Sequence, residues 1–164
     1  MSVSDNQLLA EQMRQGMRYL ASGVCVMATE DASGARAAMT VSSVSSVSDS
    51  PPSLLVCVNT ATRMSELIEP ATRFSVSVLS VEHQALALVC ASSHLADSRF
   101  EGDDWSAVNG MPFVKNAPSV FFCRLQKIVL YGTHKVCIAD IEQVNVLPSR
   151  PPVLTYLNGS FGSL

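Results

Sequence analysis

Two long apolar-rich segments near the C-terminus, about Val120–Leu130 and Lys135–Val146, are separated only by the short stretch YGTH. This arrangement predicts two long antiparallel strands joined by a tight turn. Further strands are predicted for VCVMAT, for a segment that starts near Ala37, and for SLLVCVN, RFSVSVL and VLTYL. Six or seven strands with few helices favour a mainly β (α+β) fold, an antiparallel β-barrel with a few covering helices.

Helical spacing occurs in only a few places. Leu9, Met13 and Met17 recur at the period of a helix, which predicts a helix from Ser4, as its N-cap, to about residue 21. Shorter helices are predicted around residues 65–68 and directly after Ser80. Residues 93–118 are predicted to be mostly loop, and His83 and His94 to lie on helix surfaces.

The strand RFSVSVL shows the alternation of a half-buried strand. Phe74, Val76 and Val78 occupy one set of alternate positions, and Ser75 and Ser77 occupy the other. Successive side chains of a strand point to opposite faces. The pattern therefore predicts that the serines face solvent.

The composition indicates a single domain that shares apolar surface with a partner. The 164 residues suffice for one domain with its own core. Hydrophobic residues make up 48% and charged residues only 15%, a balance that indicates an oligomer interface. No stretch approaches the roughly 18–20 apolar residues of a membrane-spanning helix, and no signal peptide is expected. The net charge of −3 and the scattered basic residues argue against nucleic acid as a partner.

Five cysteines bear on the cellular compartment. They form no C-x-x-C pair, their number is odd, and each lies among apolar neighbours. This pattern is typical of buried free thiols rather than of disulfides or a metal site, so no metal is expected. We therefore expect a protein of the reducing cytoplasm.

The serine-rich segment AMTVSSVSSVSDS directly precedes Pro51, Pro52 and an apolar strand. Val41, Val44 and Val47 recur every three residues, which breaks the alternation of a strand and predicts a bulge between Val41 and Val44. Two interpretations stay open at this level. The segment is either a backbone surface against which a flat ligand lies, or an edge strand kept soluble by its serines.

The segment that begins YLASGVCVMATEDASG and ends SDSPPSLLVCVNTATR resembles the N-terminal half of the flavin reductase family. The similarity continues in order through RFSVSVL, RFEGDDW, YGTHKVCIADI and LTYLNGSFGSL, and so covers nearly the whole chain. It implies one domain, with an N-terminal helix over residues 1–22 and a split β-barrel with Greek-key-like connections over residues 23–164. The motifs are most similar to the small reductase components of two-component aromatic monooxygenases, of the 4-hydroxyphenylacetate or phenol hydroxylase type.

The resemblance implies an NAD(P)H:flavin oxidoreductase that acts as a homodimer. It would reduce free FMN or FAD with NADH or NADPH and supply the reduced flavin by diffusion to a monooxygenase component. No GxGxxG motif is present, so a Rossmann domain is not the nicotinamide site. The resemblance implies that nicotinamide stacks in the same open cleft as the flavin. Two alternatives stay open: a non-catalytic flavin- or heme-binding module on the same barrel, and a reductase for another acceptor such as a corrinoid or ferric complex.

The resemblance also implies which residues bind flavin. The edge of the ring is assigned to the positions of Thr40, Val41, Ser42, Ser43 and Ser46. Asn59 and Thr62 match positions near the ribityl chain and phosphate, and Ala61 stands where family members often have a serine, so Thr62 must carry this contact. Arg63 either meets the phosphate or is a solvated arginine at a helix start.

The remaining assignments concern the nicotinamide and the walls of the cleft. The family commonly has Gly-Asp-His where this chain has Gly-Thr-His, and the resemblance implies that His134 is the catalytic residue that positions nicotinamide. Arg99 and Phe100 match a pair that meets the phosphate and covers the ring; the alternatives are a surface arginine and core packing. Tyr156 and Phe161 fall where the family places aromatics beside the cleft. Trp105 is expected to hold its loop in place.

Overall fold

The computed structural model describes residues 3–164, and β-strands form most of its regular structure. The strands are β1 (Ser22–Gly23), β2 (Cys25–Glu30), β3 (Arg36–Val41), β4 (Val44–Asp49), β5 (Pro52–Asn59), β6 (Arg73–Val78), β7 (Trp105–Val108), β8 (Met111–Val114), β9 (Ser119–Tyr131), β10 (His134–Val146), β11 (Leu154–Leu157) and β12 (Ser160–Ser163). The helices are α1 (Val3–Met17), α2 (Arg63–Leu67) and α3 (Gln84–Ala91), with 3₁₀ helices over Val81–His83 and Ser93–Ser98.

Seven of the strands form one antiparallel sheet in the order β3-β2-β6-β9-β10-β5-β4. β3 and β4 lie at opposite edges of this sheet, yet only Ser42 and Ser43 separate them in the sequence. Because three residue steps span at most about 11 Å, the two edges lie close together and the sheet curls into a barrel. Within residues 3–164 no ladder joins β3 to β4. The barrel is therefore split at this point, and the predicted split β-barrel is confirmed.

The serine-rich segment is where the chain changes its partner strand. β3 ends at Val41 and pairs with β2, whereas β4 begins at Val44 and pairs with β5. The bulge predicted between these valines is therefore wrong, because the strand stops there. The irregularity in the β4–β5 ladder lies further on, between Ser46 and Ser48. The edge-strand interpretation is confirmed for β4, which has one neighbouring strand and exposed serines.

Two apolar clusters lie on opposite faces of β2. Cys25 and Met27 belong to the cluster inside the barrel, whereas Val26 and Ala28 pack with residues of α3 and β8. All four side chains are buried. A strand that is covered on both faces has apolar side chains on both, which explains why VCVMAT does not alternate between apolar and polar residues.

Ser75 and Ser77 overturn the prediction that β6 is half-buried. Both are 0% exposed. The Ser75 hydroxyl donates to the Pro112 carbonyl at 2.6 Å, and the Ser77 hydroxyl accepts from the Val114 N–H at 3.1 Å. Both partners belong to β8, which forms a hairpin with β7 inside the region predicted as loop. The loop prediction is wrong for these two strands, and the hairpin covers the serine face of β6.

The long C-terminal hairpin is confirmed. β9 and β10 have 13 residues each, and the turn between them contains Gly132 with φ of 54°. This left-handed conformation favours glycine. The tail holds more structure than predicted: β11 and β12 form a second hairpin, which joins β1 where Tyr156 pairs with Ser22.

α1 is the helix predicted near the N-terminus, and it ends at Met17, earlier than predicted. It already includes Val3, so Ser4 lies within the helix rather than at its cap. The start of the predicted helical segment, residues 1 and 2, lies outside the described residues. Leu9, Met13 and Met17 are 53%, 57% and 54% exposed. The helix therefore presents its apolar stripe to solvent in the single chain.

His83 is buried, which overturns its prediction as a helix-surface residue. The Ser80 N–H donates to its Nδ1 at 3.1 Å, so Nδ1 carries no proton and Nε2 donates to the Lys115 carbonyl at 3.0 Å. This neutral imidazole links the segment before α3 to the end of the β7–β8 hairpin. His94 is exposed, as predicted.

The five cysteines are free thiols, as predicted; four of them are buried, whereas Cys57 is only partly buried. Burial raises the pKa of Cys25 to about 11 and that of Cys123 to about 12. The charged thiolate is disfavoured in an apolar interior. These two thiols therefore act as packing groups.

The described part of the chain contains neither a metal-type cluster nor a membrane-type helix. Its histidine, cysteine and acidic side chains nowhere gather in groups of three or more that could hold a metal ion. Its helices are all too short or too polar to cross a bilayer.

Candidate functional site

β3 is an edge strand whose outer main-chain groups have no partner strand. Arg99 Nη1 donates to the Ala38 carbonyl at 2.6 Å. Arg63 Nε donates to the Arg36 carbonyl at 3.3 Å. The main-chain groups of alternate residues in an antiparallel strand point to the same side. The N–H and C=O of Thr40 therefore face the same open edge.

Three adjoining clefts follow this edge, and together they form what we call the β3 trough. Their volumes are about 400, 310 and 380 Å³. The first and second share Thr40 and Ala91, and the second and third share Ser42 and Tyr156, so the trough is continuous. Arginines line the first cleft, aromatic side chains the second, and α1 the third.

The trough brings together most of the predicted site residues. They are Thr40, Thr62, Arg63 and Arg99 in the first cleft, and Ser42, Ser43, Tyr156 and Phe161 in the second and third. Tyr156 and Phe161 meet edge to face, with ring centroids 5.4 Å apart. Residues far apart in the sequence thus form one surface because β3, α2, α3 and the β11–β12 hairpin meet there.

Three predicted residues lie outside these clefts. The Val41 side chain is 4% exposed and belongs to the barrel core, and its main-chain groups face β2. Ser46 is exposed on β4. Phe100 packs against Trp105, with ring centroids 4.6 Å apart.

His134 and Asn59 also lie outside the clefts, where β10 begins and β5 ends. The two residues are paired in the ladder, and His134 is exposed, with its Nδ1 2.9 Å from the Thr133 hydroxyl. The Thr60 N–H donates to the Thr133 carbonyl at 3.0 Å. This bond ties the β9–β10 turn to the segment that leads into the first cleft, so His134 is connected to the trough through residues 59–62.

Several hydroxyl groups of the trough already hold the fold together. Thr40 donates to a carbonyl of α3 at 2.7 Å, and Thr62 caps α2 by accepting from its first turn at 3.3 Å. The Ser43 hydroxyl lies 3.2 and 3.4 Å from main-chain atoms of β5. Ser42 differs from these, because its hydroxyl has no hydrogen-bond partner among the described residues. The hydroxyls of Ser22, Ser93 and Tyr156 also line the trough and have no such partner, so a ligand meets several free hydroxyls as well as some that offer only lone pairs.

Arg99 is the most constrained residue of the first cleft. Its Nη1 and Nη2 donate to the carbonyls of Ala38 and Ser92 at 2.6 and 2.7 Å. Its own carbonyl accepts from Trp105 Nε1 at 2.7 Å, so Trp105 holds this loop, as expected. The Nε atom is buried without a hydrogen-bond partner. The ion pairs within residues 3–164 are those of Glu142, so none neutralises Arg99.

Arg63 adds a second positive charge to the first cleft. It contributes to holding the pKa of Asp31 below its ordinary value, although the main causes are hydrogen bonds from the Ser33 hydroxyl and the Ala35 N–H. Anions are attracted to such a pair of guanidinium groups. The first cleft therefore presents two guanidinium groups, as does the third cleft with Arg14 and Arg18.

The contribution of α1 to the third cleft was missed by sequence reasoning. Met13, Met17 and Arg18 line this cleft. Arg18 Nη2 donates to the Asn158 carbonyl at 3.2 Å, and a Cβ at Gly159 would clash with the same guanidinium. The apolar spacing of the helix was the available signal, but it does not reveal which strands the helix approaches.

Comparison with known proteins places this geometry in a family. The model of the flavin reductase like domain matches residues 17–164. An FMN reductase (NADH), RutF, of Ancylobacter novellus is 34% identical over 132 residues, which are 80% of this chain and 72% of the relative. The 4-hydroxyphenylacetate 3-monooxygenase reductase component of Pseudomonas aeruginosa is 31% identical over 157 residues, 94% of this chain and 91% of the relative. The solved structure of the styrene monooxygenase flavin reductase of Pseudomonas putida S12 matches with a TM-score of 0.82 at 25% identity, covering 93% and 97% of the two chains.

Proposed function

The chain belongs to the flavin reductase family, and we propose that it reduces free flavin with NADH and releases the product to a flavin-dependent partner enzyme. Relatives named FMN reductase (NADH) and monooxygenase reductase component support both halves of this proposal. The observation that carries it is the open edge of β3, which runs along a continuous trough into an arginine-lined cleft.

The trough fits the shape and the polarity of a flavin. The ring is flat, and its edge carries nitrogen and oxygen atoms that need donors and acceptors. The N–H and C=O of Thr40 face the trough without a partner strand, and Ser42, whose hydroxyl is free, lines the second and third clefts. Apolar side chains such as Leu88 and Phe161 line the second cleft and offer cover for a ring face. We therefore place the ring edge along residues 40–43.

The first cleft fits the phosphate. Arg63 and Arg99 supply charge without a competing ion pair, and Thr62 offers the remaining lone pair of its hydroxyl. Charge-assisted hydrogen bonds from arginine to phosphate are about twice as strong as neutral ones. Asn59 lies just before this cleft, and we assign it to the ribityl side of the site.

The chemistry needs positioning more than it needs a reactive side chain. When bound, flavin accepts a hydride at its N5 atom from the nicotinamide ring. We assign His134 to holding the nicotinamide against the flavin. The imidazole is exposed beside the segment that leads into the first cleft, and the Thr133 hydroxyl 2.9 Å from Nδ1 orients it in place of the acid common in the family.

Loose flavin binding follows from the same geometry. The hydroxyls of Thr40, Ser43 and Thr62 are engaged in the fold, and the trough is open to solvent along its length. Purified protein should therefore carry less than one equivalent of flavin, or none until flavin is added. Loose binding suits a reductase whose reduced product diffuses to a monooxygenase component. FMN and FAD both suit a site that holds the ring and the first phosphate.

We further propose a cytoplasmic homodimer. Leu8 and Leu9 of α1 are 58% and 53% exposed, and Leu130 and Tyr131 at the hairpin end are 67% and 82% exposed. Large apolar side chains exposed in groups are typical of an interface. Free thiols suit a reducing compartment. Light scattering at micromolar concentration tests the dimer, and a monomer there would refute it.

Steady-state NADH oxidation with added FMN or FAD tests the proposed activity. We expect turnover that depends on added flavin, and faster reduction with NADH than with NADPH. A protein that binds flavin in a fluorescence titration but oxidises no NADH would be a binding module instead. A protein that oxidises NADH only when a corrinoid or a ferric complex is added would be a reductase for that acceptor.

A further inference from the structure

Arg36, Phe100 and Trp105 form a stack beside the β3 trough. The Phe100 and Trp105 ring centroids are 4.6 Å apart with the rings tilted by 42°. The Cζ atom of Arg36 lies 4.4 Å from the Phe100 ring centroid. Arg36 is exposed, so its guanidinium keeps free surface for another planar group. Neither the ring-edge site nor the phosphate site proposed above uses this stack.

We propose that the Arg36 guanidinium, supported by Phe100, is a platform for the adenine ring of a dinucleotide. This inference rests on the proposed function, because flavin and nicotinamide dinucleotides are the adenine compounds that such an enzyme meets. The shared chemistry is an adenosine joined through phosphates to a ring that lies in the trough.

The position of the platform matches the order of groups in a dinucleotide. Arg36 and Thr40 both have outward-facing main-chain groups on β3, and four residue steps place them about 13 Å apart. Arg99 binds the carbonyl of residue 38, midway between them. From Thr40 to Arg36, the order of sites along the edge of β3 is therefore the ring site, the cationic site and the platform. A dinucleotide has the same order of ring, pyrophosphate and adenine.

The chemistry of arginine suits this role. Its guanidinium is planar and weakly hydrated and stacks on aromatic faces, whereas the lysine ammonium is a strongly hydrated point charge. Phe100 is held by Trp105, whose indole N–H is fixed by its bond to the carbonyl of Arg99. The residue opposite Arg36 on β2 is Glu30, and the two form no ion pair. The guanidinium thus remains available for a ligand.

The first arm of the test measures binding of two flavins to Arg36→Ala and Arg36→Lys by fluorescence titration. FAD carries the adenosine and FMN does not. If flavin adenine occupies the platform, the Kd for FAD should rise about five-fold or more in Arg36→Ala, while the Kd for FMN stays within about two-fold. Arg36→Lys should recover only part of the loss. The Arg36 carbonyl that binds Arg63 belongs to the main chain and is kept in both variants.

The second arm separates the other source of adenine. With FMN as acceptor, the KM for NADH is compared with that for reduced nicotinamide mononucleotide, which lacks the adenosine. If the adenine of NADH occupies the platform, the KM for NADH should rise in Arg36→Ala, while that for the mononucleotide should not. Arg150→Ala, which removes an exposed arginine in the turn before β11, should change none of these values.

Two results would overturn the platform. One is an equal loss for FMN and FAD and for both nicotinamide compounds, which would mean that Arg36 only maintains the site. The other is no change in any arm. Both differ from failure of the proposed function, because that failure removes FMN-dependent NADH oxidation from the unmodified protein, while the FMN and FAD titrations can still be performed.

Discussion

The two edges of the seven-stranded sheet come from neighbouring parts of the sequence and differ in what surrounds them. On β3, Arg63 and Arg99 bind alternate carbonyls, and α2 and α3 help to form the trough alongside. On β4, the serines are exposed, and the ladder to β5 becomes irregular after Ser46. Small polar residues thus mark the edge strand β4, whereas Thr40 is the one small polar residue of β3. Only the edge with charged side chains and apolar walls beside it has a trough, and it is the edge for which we propose flavin binding.

Among substitutions at the two edges, Arg99→Ala beside β3 is expected to have the largest effect on stability and flavin affinity. The substitution removes two charge-assisted hydrogen bonds to carbonyls, which predicts a fall of about 2–4 kcal/mol in the free energy of unfolding. The Kd for FMN should rise at least about ten-fold. Urea unfolding and flavin fluorescence measure the two effects, and Arg150→Ala serves as the control, with a change within about 0.5 kcal/mol. If Arg99→Ala left both the free energy of unfolding and the Kd for FMN unaltered, Arg99 would neither stabilise the β3 edge nor bind the phosphate.

His134→Ala comes next and tests catalysis apart from binding. If His134 positions nicotinamide, kcat/KM for NADH should fall roughly ten-fold or more, a loss of about 1.4 kcal/mol of transition-state stabilisation. The Kd for flavin should change much less, because residues 40–43 and the first cleft are intact. Thr133→Ala should give a smaller fall, since it removes only the hydroxyl near Nδ1. An unchanged kcat/KM in a folded His134→Ala dimer would exclude the positioning role.

Thr62→Ala should combine a moderate effect on stability with one on binding. The hydroxyl caps α2, and loss of such a cap costs about 1 kcal/mol. The Kd for FMN should rise before kcat/KM for NADH changes. Thr62→Ser keeps the hydroxyl and should restore both values. If Thr62→Ala lowers stability while the Kd for FMN stays at the unmodified value, the residue is a cap and not a ligand.

The smallest effects are expected for Ser43→Ala and Ser46→Ala, which we compare as a matched pair. Ser43 bonds the main chain of β5 beside the trough, so its loss should destabilise by about 1 kcal/mol and weaken flavin binding a few-fold. Ser46 is exposed on β4, and its substitution should stay within about 0.5 kcal/mol. Thermal unfolding and flavin titration on the matched pair decide the point. A loss of flavin affinity in Ser46→Ala equal to that in Ser43→Ala would extend the binding surface to the second edge.

The long hairpin and the edge strand were predictable because they depend on local signals. The turn between β9 and β10 needs a residue tolerant of positive φ, and Gly132 supplies it. The burial of Ser75 and Ser77 was not predictable in the same way. It depends on the β7–β8 hairpin, which comes later in the chain and covers a face that alternation alone assigns to solvent.

The candidate site likewise has features that the sequence predicts and features that depend on contacts between distant parts of the chain. Most of the residues implied by the resemblance lie in the trough, because motifs keep their order along the chain. It did not show which carbonyls of β3 face outward, since that depends on the register with β2, where Cys25 pairs with Val41. The stack of Arg36 on Phe100 joins positions far apart in the sequence, and nothing in the residue types themselves predicts that these two side chains meet. His83 was misplaced for a similar reason, because its second partner is the carbonyl of Lys115.

The open edge of β3 also bears on solubility. An unpaired strand edge invites strands of other chains to add to it, which is a common route to aggregation. The main-chain donors and acceptors proposed to meet flavin would be lost if another strand paired with them. Here Arg63 and Arg99 occupy the outward carbonyls of residues 36 and 38, and the strand ends at Val41. The outward main-chain groups of Thr40 remain open beside the trough. The same two arginines therefore oppose the addition of another strand to this edge and leave Thr40 accessible.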